Sequence, residues 1–90
     1  SISVMLWGAG NSEKIAESFI NNGIGFTWVT DNPSKFGVNI YDQLVQSRND
    51  VYLKNYQQII AISSPREQNE IQSVLDGMEL KNRMNYFWFC

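Results

Sequence analysis

The 90-residue chain has no histidine and only one cysteine, Cys90. Without histidine, neither a Ser–His nor a Cys–His catalytic pair can form, and a Cys/His zinc site is excluded. A single cysteine also excludes an intramolecular disulfide. No apolar run approaches the roughly 18 residues of a membrane span, and no signal-peptide pattern is present. These absences predict a cytoplasmic protein without membrane insertion, without a bound metal and without catalytic residues of its own.

Positive charge is also sparse. The chain carries seven Lys and Arg against nine Asp and Glu, a formal net charge of −2. The basic residues are scattered along the chain and form no stripe. Binding to nucleic acid through counterion release needs a clustered basic surface, so we expect no nucleic-acid partner.

Apolar residues are plentiful, at 43% hydrophobic and 13% aromatic content. This composition suffices for one core and excludes a disordered chain. We therefore expect residues 1–90 to form one domain. The length leaves no room for a substrate-binding part beside a nucleotide-binding half. Because the chain starts without an initiator Met and stops inside an apolar run, we also expect a domain cut from a longer protein.

The most informative pattern is an apolar run, residues 2–7, that breaks directly into Gly8-Ala9-Gly10, with Asp31 closing the next apolar run. A buried strand, a glycine turn, a helix and an acid about 20 residues on are typical of the first half of a Rossmann-type nucleotide-binding unit. Glycines let backbone N–H groups approach a phosphate, and the helix N-terminus adds partial positive charge. The acid can accept hydrogen bonds from a ribose diol.

This pattern gives seven candidate binding residues: Gly8, Ala9, Gly10 and Asn11 for phosphate through backbone N–H groups, Asp31 for ribose, Lys35 for a phosphate, and Ser63 lining the crevice. Each also has an ordinary structural interpretation: glycine suits any tight turn, Asp-Asn-Pro opens turns, and a loop lysine is normally solvated. Glu13 occupies the position of the third fingerprint glycine, which argues against a dinucleotide in the usual pyrophosphate pose.

The remaining periodicity predicts an α/β, Rossmann-like three-layer sandwich with a five-stranded, mainly parallel sheet of order 3-2-1-4-5. The switch point falls between the first and fourth strands. The predicted strands are residues 2–7, 26–30, 38–41, 59–63 and 86–89. Helices are expected after Asn11 or Ser12, after Ser64-Pro65, and, as a short one, after Asp42.

Aromatic residues concentrate on the predicted strands. Trp7, Trp28 and Trp88 all fall there, and packing in a core or an interface is favoured over stacking on a base. The last strand, residues 86–89, consists of Tyr, Phe, Trp and Phe. An edge strand of that composition predicts burial against a neighbouring domain of the same protein or against a homodimer mate.

Several of these motifs together carry a family resemblance. Gly8-Ala9-Gly10, then Asp31, Pro33, Lys35 and Gly37, and more loosely Gly77 and Tyr86, span nearly the whole chain. The chain resembles the small Rossmann-like domains, of the CoA-binding-domain type, attached to bacterial glycosyltransferases and other nucleotide-sugar or polysaccharide biosynthesis proteins. The resemblance implies a non-catalytic accessory domain that binds a nucleotide-containing molecule beside a catalytic domain. Its candidate ligands are a nucleotide-sugar, NAD(P) or CoA.

Two other functions remain open at this stage. One is a Rossmann-like module that has lost its ligand and serves for docking or oligomerisation through the aromatic C-terminal strand. The other is the NAD(P)-binding half of an oxidoreductase or epimerase. Against the second stand Glu13 and the lack of a Tyr-x-x-x-Lys pair, since Tyr52 and Lys54 have the wrong spacing.

Overall fold

The structure is a computed structural model, and it describes residues 3–8, 12–48, 56–62 and 64–89. In chain order the helices and strands are β1 (Ser3–Trp7), α1 (Glu13–Asn21), β2 (Thr27–Thr30), a 3-10 turn (Pro33–Lys35), β3 (Asn39–Ile40), β4 (Gln43–Ser47), β5 (Tyr56–Ile60), α2 (Pro65–Gly77) and β6 (Tyr86–Trp88).

The strands form one sheet of six, in the order β3-β4-β2-β1-β5-β6. All neighbours are parallel except β3 and β4, which are antiparallel. The prediction of a mainly parallel α/β sheet is therefore confirmed, whereas the predicted five strands and the order 3-2-1-4-5 are corrected. The switch point was expected between the first and fourth predicted strands. These strands correspond to β1 and β5, which are neighbours in the sheet, and β2 lies on the other side of β1.

The sixth strand results from a hairpin turn at Tyr41 and Asp42. Both residues have positive φ, 53° and 60°, and they join β3 to β4 as the two central residues of a hairpin in which Ile40 pairs with Gln43. Two positive φ values in a two-residue loop are the signature of a type I′ turn. The short helix predicted after Asp42 is thus wrong: residues 43–47 are a strand, and Val45 is buried on the sheet.

The two helices lie on opposite faces of the sheet. Alternate residues of β1 separate them: Leu6 packs in a cluster with Ala16 of α1, and Trp7 packs in a cluster with Ile71 and Leu75 of α2. The predicted three-layer, Rossmann-like arrangement is confirmed in this coarse form. It places the ends of β1, β2, β4 and β5 at a common edge, because parallel strands all point the same way.

The end of α1 and the start of α2 follow the signals that the sequence gives. Gly23 adopts a left-handed φ of 69° just after α1, where only glycine avoids a steric penalty. At α2, Pro65 occupies the first turn and the Ser64 hydroxyl accepts from the Glu67 N–H at 3.5 Å. The capping serine and the proline therefore set the start of α2.

Strand β5 begins and ends three residues earlier than predicted for the strand of residues 59–63. The reason is Gln58, a polar residue that is fully buried and accepts a hydrogen bond from Trp7 Nε1 through its Oε1 at 2.8 Å. A glutamine breaks the apolar pattern by which a buried strand is identified, although its burial is compensated by this bond.

Candidate functional site

The candidate site lies at the carboxyl edge of the sheet, where Gly8 follows β1. Gly8 has a φ of +97°, and its N–H donates to the Val29 carbonyl of β2 at 2.9 Å. A Cβ built on Gly8 would lie 2.7 Å from the carbonyl oxygen of Ala61, just past β5. Both the backbone angle and this close approach require glycine, so the turn is drawn tightly against the switch point.

Ser12 fixes the other end of the turn at the start of α1. It is fully buried, its N–H donates to the Gly8 carbonyl at 3.1 Å, and its hydroxyl donates to the same carbonyl. The hydroxyl also accepts from Trp28 Nε1 at 2.8 Å. Ser12 occupies the N-cap position, yet its side chain makes no capping bond to α1.

The Ser12 side chain therefore accepts no hydrogen bond from the backbone amides at the N-terminus of α1. An α-helix begins with N–H groups that have no intrahelical partner, and an N-cap side chain normally satisfies one of them. Here Trp28 and Gly8 engage the Ser12 hydroxyl instead. The first-turn amides of α1 therefore face the carboxyl edge as donors suited to a phosphate. Glu13, exposed at the first helical position, is the one acidic residue of this turn.

A charged pair lies beside this turn, at the ends of β2 and β4. Arg48 Nε donates to Asp31 Oδ1 at 2.9 Å, with the two side chains 27% and 38% exposed. The Arg48 guanidinium carbon lies 5.9 Å from the centre of the Trp7 ring. The Arg48 guanidinium therefore packs over the fully buried Trp7 ring and at the same time forms an ion pair with Asp31.

The pair keeps hydrogen-bonding capacity for a ligand. Within the described residues, Asp31 Oδ2 and the Arg48 Nη groups have no protein partner. A carboxylate accepts hydrogen bonds from ribose hydroxyls, and a guanidinium donates to phosphate or hydroxyl oxygens. The edge therefore offers an acceptor and several donors within one side-chain pair.

The structure brings Gly8 and Asp31 of the predicted site to one edge of the sheet, after neighbouring strands. The predicted role of the Gly8 N–H as a phosphate donor is wrong, because this group donates to the Val29 carbonyl. Lys35 ends the 3-10 turn after β2, half-buried, and makes no ion pair in the part of the chain that the structure describes. The predicted roles of Ala9, Gly10, Asn11 and Ser63 concern positions outside the described residues.

Arg48 is a site residue that was not predicted from the sequence. It follows β4, and the segment was expected as a helix, which gave no reason to place an arginine at the carboxyl edge. An extended reading of residues 43–47 would have placed Arg48 beside Asp31. Trp7 is fully buried, which confirms packing rather than stacking on a base.

Neither a metal centre nor a membrane span emerges from the described part of the chain. No group of three or more Asp, Glu, Cys or His side chains there could hold a metal ion. No described helix is long and apolar enough to cross a membrane.

Comparison with known proteins supports the fold class and little beyond it. No protein-family model matches the chain, and no curated protein matches it significantly. Among solved structures, the chain is similar to the crystal structure of RSP, a Rex-family repressor, with a TM-score of 0.69 and 24% sequence identity. The alignment covers 100% of this chain and 46% of the repressor chain, so this chain spans about half the length of that protein.

At this identity the likeness shows the fold: a Rossmann-like α/β domain. It gives no support to the glycosyltransferase context that the sequence resemblance implies. Since the neighbour is a repressor, it also gives no support to the expected absence of a nucleic-acid partner, which stays a prediction.

Proposed function

We propose that this chain is a non-catalytic nucleotide-binding domain. The observation that carries the proposal is the open N-terminus of α1 at the Gly8 turn, where the Ser12 hydroxyl is diverted to Trp28 and Gly8. A phosphate of the ligand lies against the first-turn amides of α1, where the helix dipole favours negative charge. The ribose lies beside Asp31, one strand away.

The other sequence candidates take supporting roles in this proposal. The backbone N–H groups of Ala9, Gly10 and Asn11 keep the phosphate role predicted from the sequence, Ser63 keeps its predicted role in the crevice, and Lys35 contacts a further phosphate. The Gly8 N–H has no such role, because it donates to the Val29 carbonyl. Arg48 joins them as the residue that orients the Asp31 carboxylate, through the 2.9 Å bond from its Nε.

The ligand classes proposed are a nucleotide-sugar, NAD(P) and CoA, and the setting proposed is an accessory domain of a bacterial carbohydrate- or polysaccharide-biosynthesis protein. In this setting the domain's partner is a neighbouring catalytic domain of the same protein. A second setting proposed for the same site is the NAD(P)-binding half of an oxidoreductase or epimerase, for which the similarity to a Rex-family repressor supports only the Rossmann-like fold. Exposed Glu13 at the third-glycine position weighs against the usual dinucleotide pose.

The test is a titration of the domain with NAD, NADP, CoA, UDP-glucose and CMP, followed by tryptophan fluorescence and melting temperature. We expect saturable binding of at least one, weakened about tenfold in Asp31→Asn, since a hydrogen bond to a charged group contributes about 1.5–3 kcal/mol. The matched control is Glu70→Gln, which also removes a carboxylate from an exposed ion pair, that with Arg66 on α2.

The outcomes separate the proposals. Binding of NAD or NADP above all others favours the NAD(P)-binding half. No binding across the panel by a folded domain contradicts nucleotide binding and favours a docking module. Phe87 and Phe89, 38% and 60% exposed, and an apolar groove of about 400 Å³ that Phe89 lines with Ile59 and residues of α1 support that module.

A further inference from the structure

A second groove lies on the other side of the switch point, between α2 and β6. It has a volume of about 380 Å³ and is lined by Gln68, Asn69 and Gln72 of α2 and by Trp88 of β6. Among the residues that the structure describes, the lining consists of three carboxamides and one indole and includes no charged side chain. We refer to it as the amide groove.

Two of the carboxamides are held in place by the fold. Gln68 Nε2 donates to the Ile62 carbonyl at 2.6 Å, and Gln72 Nε2 donates to the Tyr86 hydroxyl at 2.8 Å and to Asp76 Oδ1 at 2.9 Å. The bonds to Ile62 and Tyr86 anchor the two amides to the sheet or its edge, so their positions are set before any ligand arrives. Both hydrogens of the Gln72 amide are used in this way, which leaves its Oε1 as the atom that meets a ligand. Asn69 is exposed and has no hydrogen-bond partner among the described residues, which leaves its amide available.

The chemistry of this lining selects a neutral ring that carries hydroxyl groups. A carboxamide both donates and accepts hydrogen bonds, as a hydroxyl does. The Trp88 indole supplies a broad apolar surface against which the carbon skeleton of a ring can pack. A charged group would lose its hydration there without gaining an opposite charge from the lining.

The amide groove is close to the phosphate turn. Ile62 connects them: its carbonyl accepts from Gln68, and its Cγ1 lies 3.0 Å from the position of a Cβ on Gly8. In the sheet, β1, β5 and β6 are consecutive neighbours, so two spacings of about 4.8 Å separate β1 from the strand of Trp88. A group joined to a phosphate at the Gly8 turn reaches the groove across β5.

We propose that the amide groove binds the glycosyl group of a nucleoside diphosphate sugar. The inference rests on the proposed function, because it takes the diphosphate to lie at the N-terminus of α1. It narrows the ligand classes to one: the nucleotide end of the ligand lies toward Asp31, and its neutral sugar lies against Trp88, Asn69 and Gln72.

The test compares each nucleoside diphosphate with its own sugar conjugate by isothermal titration calorimetry. The pairs are UDP and UDP-glucose, ADP and ADP-glucose, and GDP and GDP-mannose. In at least one pair we expect the conjugate to bind about tenfold more tightly than the diphosphate. Asn69→Ala is expected to reduce that gain to threefold or less while leaving the Kd of the diphosphate unchanged.

Ser73→Ala is the control, since Ser73 is exposed on the same helix and does not line the groove. Trp88→Phe, checked for folding by its melting temperature, is the second variant and is expected to lose part of the gain. Equal affinities of diphosphate and conjugate in every pair, or a gain unchanged by Asn69→Ala, overturn this inference alone. Absence of binding by every diphosphate and conjugate overturns the proposed function and this inference together.

Discussion

The two faces of the sheet each bury one tryptophan, and the two differ in what the indole N–H is bonded to. On the α2 face, Trp7 Nε1 donates to Gln58 Oε1 at 2.8 Å, which joins β1 to β5. On the α1 face, Trp28 Nε1 donates to the Ser12 hydroxyl at 2.8 Å, which joins β2 to the glycine turn. The first bond ties strand to strand, and the second ties the core to the candidate site.

This difference separates stability from binding. Both bonds satisfy a buried donor, so breaking either one lowers the free energy of unfolding. Only the Trp28 bond involves the candidate site, because its acceptor, the Ser12 hydroxyl, also donates to the Gly8 carbonyl and so holds the glycine turn against α1. Breaking the Trp7–Gln58 bond should therefore leave the affinity for a nucleoside diphosphate unchanged, and breaking the Trp28–Ser12 bond should weaken it.

Gly8 contacts both faces, and its substitution should have the largest effect. In Gly8→Ala the new Cβ meets the Ala61 carbonyl oxygen at 2.7 Å, on a backbone with a φ of +97°. We expect a loss of about 4 kcal/mol in the free energy of unfolding, from backbone strain and overpacking together. Urea denaturation measures it.

Gly23→Ala is the matched control for Gly8→Ala. Gly23 also has a positive φ, 69°, but a Cβ there would have nothing within 4 Å. This variant should lose only about 1 kcal/mol, the cost of the left-handed backbone without a clash. Equal losses in the two variants would mean that the close approach to Ala61 contributes nothing.

Gln58→Met tests the α2 face alone. The substitution keeps the side-chain volume but leaves Trp7 Nε1 buried without an acceptor, and we expect a loss of about 2 kcal/mol. In a double-mutant cycle, adding Trp7→Phe should cost less in the Gln58→Met background than in the original chain. Nucleotide affinity should not change, and a clear loss of affinity in a folded Gln58→Met variant would contradict the proposed separation.

The features of this structure that were predicted from the sequence differ in kind from those that were not. The α/β class, both helices, the Gly8 turn and the placement of Asp31 follow from local signals: apolar runs, glycines and a capping serine with proline. Such signals are written in neighbouring residues, so one sequence suffices to recognise them.

What was missed depends on contacts between distant residues. Gln58 forms part of a strand because Trp7, 51 positions away, supplies a donor for its buried amide. Tyr41 and Asp42 form a hairpin turn because β4 pairs with β2, and that pairing overrides the modest helix signal after Asp42. Arg48 reaches Asp31 only as a consequence of the same strand.

Ser12→Ala tests the α1 face. The variant removes the acceptor of Trp28 Nε1 and the hydroxyl bond to the Gly8 carbonyl, and we expect a loss of about 1.5 kcal/mol in the free energy of unfolding. Unlike Gln58→Met, it should also weaken nucleotide binding by roughly fivefold, because the turn is no longer held against α1. Affinity equal to that of the unmodified chain would show that Ser12 has only a structural role.

Arg48→Ala should have the smallest effect on stability and a distinct effect on binding. The Asp31–Arg48 pair is partly exposed, and such pairs contribute about 0.2–1 kcal/mol, so unfolding should change by less than about 1 kcal/mol. Binding of a nucleoside diphosphate should weaken several-fold, because Arg48 is the cation beside Asp31 and its Nη groups have no protein partner in the described structure.

Arg66→Ala, which breaks the exposed Arg66–Glu70 pair on α2, is the control of equal charge. The Arg48 effect should shrink as salt is raised, whereas the control should show no effect on affinity at any salt concentration. Tighter binding by Arg48→Ala would reverse the interpretation: Arg48 would then compete with the ribose for Asp31 instead of orienting the carboxylate.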